Sequence, residues 1–256
     1  VGFVGQSWDT DVAFAPAFWE EVLRVLKPGG YLISMAATRN YDQMAHAVRL
    51  AGFDIRDMLL WLYGSGMPKS HPHEGGRGTG LKPAVEPSVL ARKPLSEKTI
   101  AANIAKWGTG ALFIDDSRAP GGRYPANVLS DGSEAAMEVL GDAWRYFYCA
   151  KASTEDRVEG TEALTPPEGA KRTNWHPTVK PTPVMEHYVG LITPPDGVVF
   201  DPFMGSGSTG KAAIRRGFRF LGCDSNAEYI PIAMARLQFE ARRQAEKLRQ
   251  NTLMDL

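Results

Sequence analysis

The sequence predicts an α/β fold: a mostly parallel sheet flanked by helices, with a small irregular insert. Three observations carry this. Helix-period and strand-like apolar patterns alternate over residues 16–63 and again over 183–256. A short apolar run, Val198-Val199-Phe200, leads into a glycine-rich turn, Asp201-Pro202-Phe203-Met204-Gly205-Ser206-Gly207-Ser208-Thr209-Gly210, of the kind that follows a parallel strand. Between the two ordered stretches, residues 95–170 are rich in Gly, Pro and aromatics without a period.

Each element follows from local chemistry. Phe18, Trp19, Val22, Leu23, Val25 and Leu26 recur at helical spacing, and Lys27-Pro28-Gly29-Gly30 stops that helix. Tyr31 to Met35 reads as a short buried strand, residues 41–51 as a helix ending near Gly52, and residues 53–63 as a strand. Residues 64–80 carry too little apolar surface to bury and read as a loop. A strand is expected at 84–91, and short strands at 111–114 and 144–149. The second half gives a helix at 183–192, a strand at 197–201, a helix at 208–216, a strand at 218–223 and a final helix from about 226. The charges of its tail, Glu240, Arg242, Arg243, Glu246, Lys247 and Arg249, read as a solvated face.

Composition sets the bounds. A chain of 256 residues, 43% hydrophobic, can bury one sizeable core, or one core with an inserted subdomain. The formal net charge is zero, so any binding to nucleic acid must rest on a local basic patch. Cys149 and Cys223 match no metal spacing and fit a reducing compartment. No apolar run approaches ~18 residues, and no basic-then-apolar leader opens the chain. A cytoplasmic protein without membrane contact is expected.

The glycine turn satisfies three fingerprints. Gly205 to Gly210 is a literal G-x-G-x-x-G, with Asp224 downstream where a dinucleotide site places its ribose acceptor. Gly205 to Lys211 reads G-x-x-x-x-G-K, but Ala212 stands where a phosphate loop needs Ser or Thr. The third reading takes Asp201 into account. An acid at the strand tip suits a cofactor with a cationic end and would repel a pyrophosphate. The turn could also be a strand-to-helix connection with no ligand.

A second motif selects among them. Residues 174–181 read Asn-Trp-His-Pro-Thr-Val-Lys-Pro, ahead of the Asp-Pro-Phe-Met-Gly-Ser-Gly-Ser-Thr turn. Together they resemble the DNA amino-methyltransferases that modify adenine N6 or cytosine N4. The order of the two halves resembles the permuted β group. Lys27-Pro28-Gly29-Gly30, Trp61 with the Gly64-Ser65-Gly66-Met67-Pro68 loop, and Glu86 ahead of Ala91-Arg92-Lys93-Pro94 resemble phage or prophage members. The likeness is weakest from about 95 to 143.

The resemblance implies a Rossmann-like, S-adenosylmethionine-dependent fold, with S-adenosylhomocysteine as product. It implies a catalytic half at 1–94, a target-recognition insert at 95–170 and a cofactor half at 171–256. His176, Thr178 and Lys180 become candidate contacts to the cofactor carboxylate, with Lys180 supplying the positive charge. Asp201 would face the amino group. The backbone of Phe203, Met204, Gly205, Ser206 and Gly207 would lie against the cofactor, and Asp224 would accept from the ribose hydroxyls. The implied partner is double-stranded DNA, with a homodimer also open. Lys and Arg outnumber Asp and Glu between residues 66 and 125, and Lys69, Arg77, Arg118 and Arg123 are candidate phosphate contacts. Trp107, Tyr124 and Trp144 are candidates for stacking on bases. Two other readings remain: a catalytically inactive cofactor- or DNA-binding remnant, and a nicotinamide-dependent oxidoreductase.

The family's tetrapeptide, Asp/Asn/Ser-Pro-Pro-aromatic, does not occur in the sequence. Thr165-Pro166-Pro167-Glu168 and Thr193-Pro194-Pro195-Asp196 lack both the polar first residue and the aromatic fourth. In relatives, the segment resembling Val1 to Asp9 directly follows that tetrapeptide. The resemblance therefore places the catalytic motif, and two strands of the sheet, before Val1. The 256-residue chain alone is expected to transfer no methyl group. Tritium transfer to DNA, with and without the upstream segment restored, checks this, and robust activity of the chain alone contradicts it.

Overall fold

The computed structural model describes residues 11–64, 71–119, 121–130 and 153–254, with 132, 134, 138, 141 and 148–149 between them. The chain divides into two compact units, Val1–Ala150 and Lys151–Leu256.

In the first unit, helix α1 (Pro16–Val25) starts with Pro at its first turn, where a missing N–H costs nothing. Strand β1 (Tyr31–Met35), helix α2 (Tyr41–Leu50) and strand β2 (Asp54–Leu62) follow as the periodicity predicts. A short hairpin, β3 (Pro72–His73) with β4 (Arg77–Gly78), lies within the expected loop. Strand β5 (Val85–Arg92), helix α3 (Ile100–Trp107), and strands β6 (Val128–Ser130) and β7 (Tyr148–Cys149) complete the unit. The five-stranded sheet has the order β1-β5-β2-β6-β7.

This sheet is mixed. Strand β5 runs antiparallel to both β1 and β2, whereas β2–β6 and β6–β7 are parallel. The apolar pattern could not reveal this, because direction is set by the path of the connections. Among the described residues of the 63–84 connection there is no α-helical crossover, which a parallel neighbour would usually use. Trp19, Val22, Met44, Val48, Phe53, Val89 and Ala91 form one buried cluster, which places α1 and α2 on one face of the sheet.

The Lys27–Gly30 turn does more than end α1. Gly29 has φ 78°, and its amide bonds Lys93 O at 3.1 Å. Pro28 O accepts from Asn103 Nδ2 at 2.9 Å and Thr109 Oγ1 at 2.6 Å. Helix α3 is thereby anchored to the turn. Its capping residues are Thr99, whose side chain accepts from the Ala102 amide, and left-handed Gly108. The strand expected at 111–114 is irregular chain leading into a single 3₁₀ turn, Asp115–Ser117; of the strand expected at 144–149, Tyr148–Cys149 form β7 and residues 144–147 lie outside the described residues.

In the second unit, helices α4 (Thr154–Val158) and α5 (Thr182–Ile192) precede a parallel β8 (Val198–Asp201), α6 (Ser208–Arg215), β9 (Arg219–Gly222) crossover. Helix α7 (Ile230–Met254) closes the unit. Val189, Val199, Ala212 and Ala213 form its apolar centre, with Met185, Phe218 and Phe220 packed around them. Among the described residues, no helix is long and apolar enough to cross a membrane.

The last glycine of the G-x-G-x-x-G pattern has a packing role. A Cβ on Gly210 would lie 2.5 Å from Leu237 Cδ2 and 2.6 Å from Phe220 Cε1. Its absence lets α6 approach both α7 and β9. Gly210→Ala should therefore lower stability by about 1–3 kcal/mol through overpacking. Urea titration reads this as a shifted midpoint with an unchanged slope.

Candidate cofactor-binding site

Strand β8 ends at Asp201, and the turn that follows spends its own backbone donors. The Phe203 amide bonds Asp201 Oδ1 at 2.9 Å, and the Met204 amide bonds Cys223 O at 3.0 Å. The Gly205 amide bonds Asp224 Oδ2 at 2.8 Å, and the Gly207 amide bonds Met204 O at 2.7 Å. Gly205 has φ 49° and Gly207 φ 76°, both in the left-handed region that favours glycine. A Cβ on Gly205 would lie 2.6 Å from His176 Nε2.

These bonds decide between the fingerprints. A phosphate loop works by turning free amides toward the anion. Here four of the turn's amides already serve protein acceptors, two of them carboxylates. Lys211, the lysine of the G-x-x-x-x-G-K pattern, is fully buried and faces away from that role. Its Nζ bonds Asp156 Oδ1 at 3.0 Å and Glu159 Oε2 at 2.5 Å. A triphosphate would find these four amides engaged and the lysine turned away. A pyrophosphate would meet Asp201 at the strand tip. Burial pushes the Asp201 carboxyl above the usual range, and the Asp224 charge adds to that. Bonds from Thr209 and the Phe203 amide oppose it. The pair forms a concentration of negative charge that suits a cation and hydroxyl donors.

The 174–181 segment packs directly against this turn. The His176 ring is buried and lies edge-on to Tyr229, with centroids 4.4 Å apart. Its Nδ1 accepts from the Thr178 amide at 3.3 Å, which leaves the ring proton on Nε2. Burial holds its pKa down at about 4; Asp224 raises it, whereas Arg157, Lys180 and Arg236 lower it further. The Lys180 carbonyl accepts from Ser208 Oγ at 2.7 Å.

All the residues expected at the cofactor lie in this unit, but with divided duties. His176 meets Gly205, and Asp224 holds the Gly205 amide. Ser206 is buried and gives its carbonyl and hydroxyl to Arg236 rather than to open space. Met204 is buried, with its sulfur against Gly222. Phe203 is 47% exposed. Thr178 is half-buried, and Lys180 lies near enough for its charge to act on His176.

Sequence reasoning missed the residues that hold the walls together: Asp156, Arg157, Asn174 and Arg236. One signal was present. Ser153-Thr154-Glu155-Asp156 is a helix-capping pattern, and Ser153 Oγ does accept from the Asp156 amide at 2.9 Å. For Arg236 no local signal exists. Glu240, expected on a solvated face, is fully buried between Arg215 and Arg243.

The candidate phosphate contacts are more scattered. Arg118 bonds Asp115 Oδ1 through Nε and Nη2, and Gly122 O through Nη1. It shares a turn with half-buried Arg123 and with Tyr124, which is 69% exposed. Arg77 belongs to the β3–β4 hairpin and bonds Glu74 O. Lys69 and Trp144 lie outside the described residues. Trp107 donates to Ser96 Oγ at 2.7 Å.

A family model described as DNA methylase matches residues 8–235. The DNA adenine methyltransferase YhdJ of Escherichia coli (strain K12) is 27% identical over 237 residues, covering 89% of this chain and 67% of the relative. Of two further curated relatives, both type II methyltransferases, the chain spans 38% and 24%. Among solved structures, the PvuII DNA methyltransferase, named as cytosine-N4-specific, gives a TM-score of 0.56 at 19% identity over 92% of this chain and 73% of that one. The M1.HpyAVI–SAM complex gives 0.53 at 21% identity, over 87% and 81%. At these identities the structural likeness speaks to the fold.

The buried His176 gives a pH signature. The unfolded ring takes a proton near pH 6.5, whereas the folded ring waits until about pH 4. Its contribution to stability is full above about pH 6.5 and is lost as the pH falls toward 4. The ring resonances should titrate near the lower value. Gly205→Ala, which forces a Cβ against Nε2, should expose the ring and move that titration upward. An unchanged titration in this variant would show that the contact is not maintained in solution.

Proposed function

The chain belongs to the DNA methylase family whose model covers residues 8–235, and on that premise we propose that residues 151–256 bind S-adenosylmethionine. The whole protein would pass its methyl group to the exocyclic amino group of adenine (N6) or cytosine (N4) in double-stranded DNA. The observation that carries this reading is the acid pair, Asp201 and Asp224, set around a turn in which the Phe203, Met204, Gly205 and Gly207 amides are bonded to protein acceptors. That arrangement disfavours the phosphates of a nicotinamide dinucleotide and favours a cofactor with a cationic end and a ribose diol.

Roles follow from chemistry. Asp201 offers its carboxylate to the cofactor's ammonium. Asp224 keeps lone pairs beyond those used by the Gly205 and Asn226 amides, and offers them to the ribose hydroxyls. Lys180 supplies the counter-charge for the cofactor carboxylate. The exposed ring of Phe203 offers an apolar surface at the rim. His176 acts through the turn: its neutral ring holds Gly205 in place. When bound, the cofactor supplies a methyl group made electrophilic by the sulfonium. On the DNA side, the turn bearing Arg118, Arg123 and Tyr124 offers cationic and aromatic groups together, suited to a phosphate and an unstacked base.

Thermal unfolding with added ligand separates the readings. S-adenosylmethionine and S-adenosylhomocysteine should each raise the midpoint, and NAD should not. Asp224→Ala should weaken cofactor affinity by about tenfold or more, as expected for lost hydrogen bonds to a charged acceptor. Stabilisation by NAD alone would overturn the proposal.

A further inference from the structure

Arg236 is a guanidinium with no solvent exposure, placed behind the cofactor turn. Its Nη1 donates to Ser206 O at 2.8 Å, Ser206 Oγ at 3.2 Å and Ser208 Oγ at 3.0 Å. Its Nη2 donates to Asp156 O at 3.0 Å. One planar fork thus joins the glycine turn to helix α4. The rest of α4 holds the opposite wall. Asp156 Oδ2 accepts from the Thr182 amide at 2.8 Å, a donor at the start of α5 that has no partner inside that helix. Arg157 Nη2 donates to His176 O at 2.8 Å, and Arg157 O accepts from Asn174 Nδ2 at 2.6 Å. Asp156 Oδ1 also takes Lys211, one turn into α6.

Burying a guanidinium is expensive, and a well-packed apolar residue would often stabilise a core at least as well. An apolar side chain could not span two carbonyls from separate segments. The planar, multiply donating group does this, and fixes the distance between them. We propose that α4 and Arg236 form a clasp that sets the spacing between the 174–182 segment and the 201–207 turn, making Arg236 a positioning residue for the cofactor site. This rests on the cofactor reading above for its functional meaning, although the clasp itself is a property of the free chain. Arg236 touches no reacting atom. It acts through Ser206, and α4 acts through His176 and Thr182.

Arg243, on the same helix, provides the control. It bonds Glu159 and Glu240 rather than the turn, so losing it removes charge pairing without touching the clasp's forks. The test is hydrogen exchange of the Met204, Gly205 and Gly207 amides in the free full chain, together with calorimetric affinity for S-adenosylmethionine. Arg236→Lys keeps the charge but cannot reach both carbonyls. It should speed exchange at these amides and weaken cofactor affinity, each by about tenfold or more. Arg243→Met should lower the melting temperature and leave both readouts near wild type. Should Arg236→Lys fail to fold, Ser208→Ala removes one hydroxyl shared by Arg236 and the Lys180 carbonyl, and should move both readouts severalfold in the same direction. The inference is overturned if these substitutions leave the amides and the affinity unchanged, or if Arg243→Met loosens them equally. If the amides loosen while the unaltered chain binds no cofactor, the clasp stands and the cofactor reading falls.

Discussion

Asp224 takes the amide of Gly205 at 2.8 Å, and with that bond the end of β9 fixes the turn that follows β8. Much of the site depends on it. With Gly205 held in a left-handed conformation, its missing Cβ leaves room for the His176 ring, and the 174–181 segment can close onto the turn. The same bond removes an amide that a phosphate would need. The chemistry of the ligand is thus constrained by the protein's internal hydrogen bonding before any ligand arrives. A glycine pattern alone states only that the backbone bends sharply and approaches something closely. Which groups face outward depends on where its amides point.

How much of this was legible in the sequence differs by residue. Lys27-Pro28-Gly29-Gly30 ends α1 as read, because a helix stop is a local matter of φ angles and absent donors. The βα order of residues 183–222 was legible for the same reason: period and punctuation are both local. The direction of β5 was not, since two antiparallel partners are chosen by connections that periodicity does not encode. Helix α3 carried cap signals at Thr99 and Gly108, but its glycine-rich neighbours masked them. Lys211 shows why the phosphate-loop spacing, already weakened by Ala212, could not settle the matter alone. Its spacing is that of a phosphate-binding lysine, yet the helix turns its side chain into Asp156 and Glu159. No window of sequence shows where an ammonium points.

Of the α7 charges read as a solvated face, Arg242, Glu246, Lys247 and Arg249 are exposed, whereas Glu240 departs from that reading for a related reason. Alternating acids and bases on a helix usually face water, where each pair contributes little. Glu240 and Arg236 are instead fully buried. They belong to a network in which Lys211, Arg215, Arg236 and Arg243 face Asp156, Glu159, Glu186 and Glu240. Within it, Asp156 stays below the usual carboxylate range. Its burial would raise the pKa, but bonds from Thr182 and the charge and bond of Lys211 outweigh that. Such a network is weak evidence for stability, because desolvation offsets much of the Coulomb gain. Its value lies in direction: every member can bond only where a partner sits, which an apolar core does not enforce.

The two charge clusters of the second unit therefore differ in kind. The network behind the turn pairs each buried base with acids and leaves little charge over. The site in front holds Asp201 beside Asp224; burial raises the Asp201 pKa, and the Asp224 charge adds to that. A buried carboxylate near a second one gains most from a nearby cation, because the interaction strengthens as the local dielectric falls. The balanced cluster supplies geometry, and the unbalanced one supplies the attraction. A ligand that met the acids with an anion would face repulsion, whereas one that brought an ammonium and a ribose would offset the charge the fold has left uncompensated.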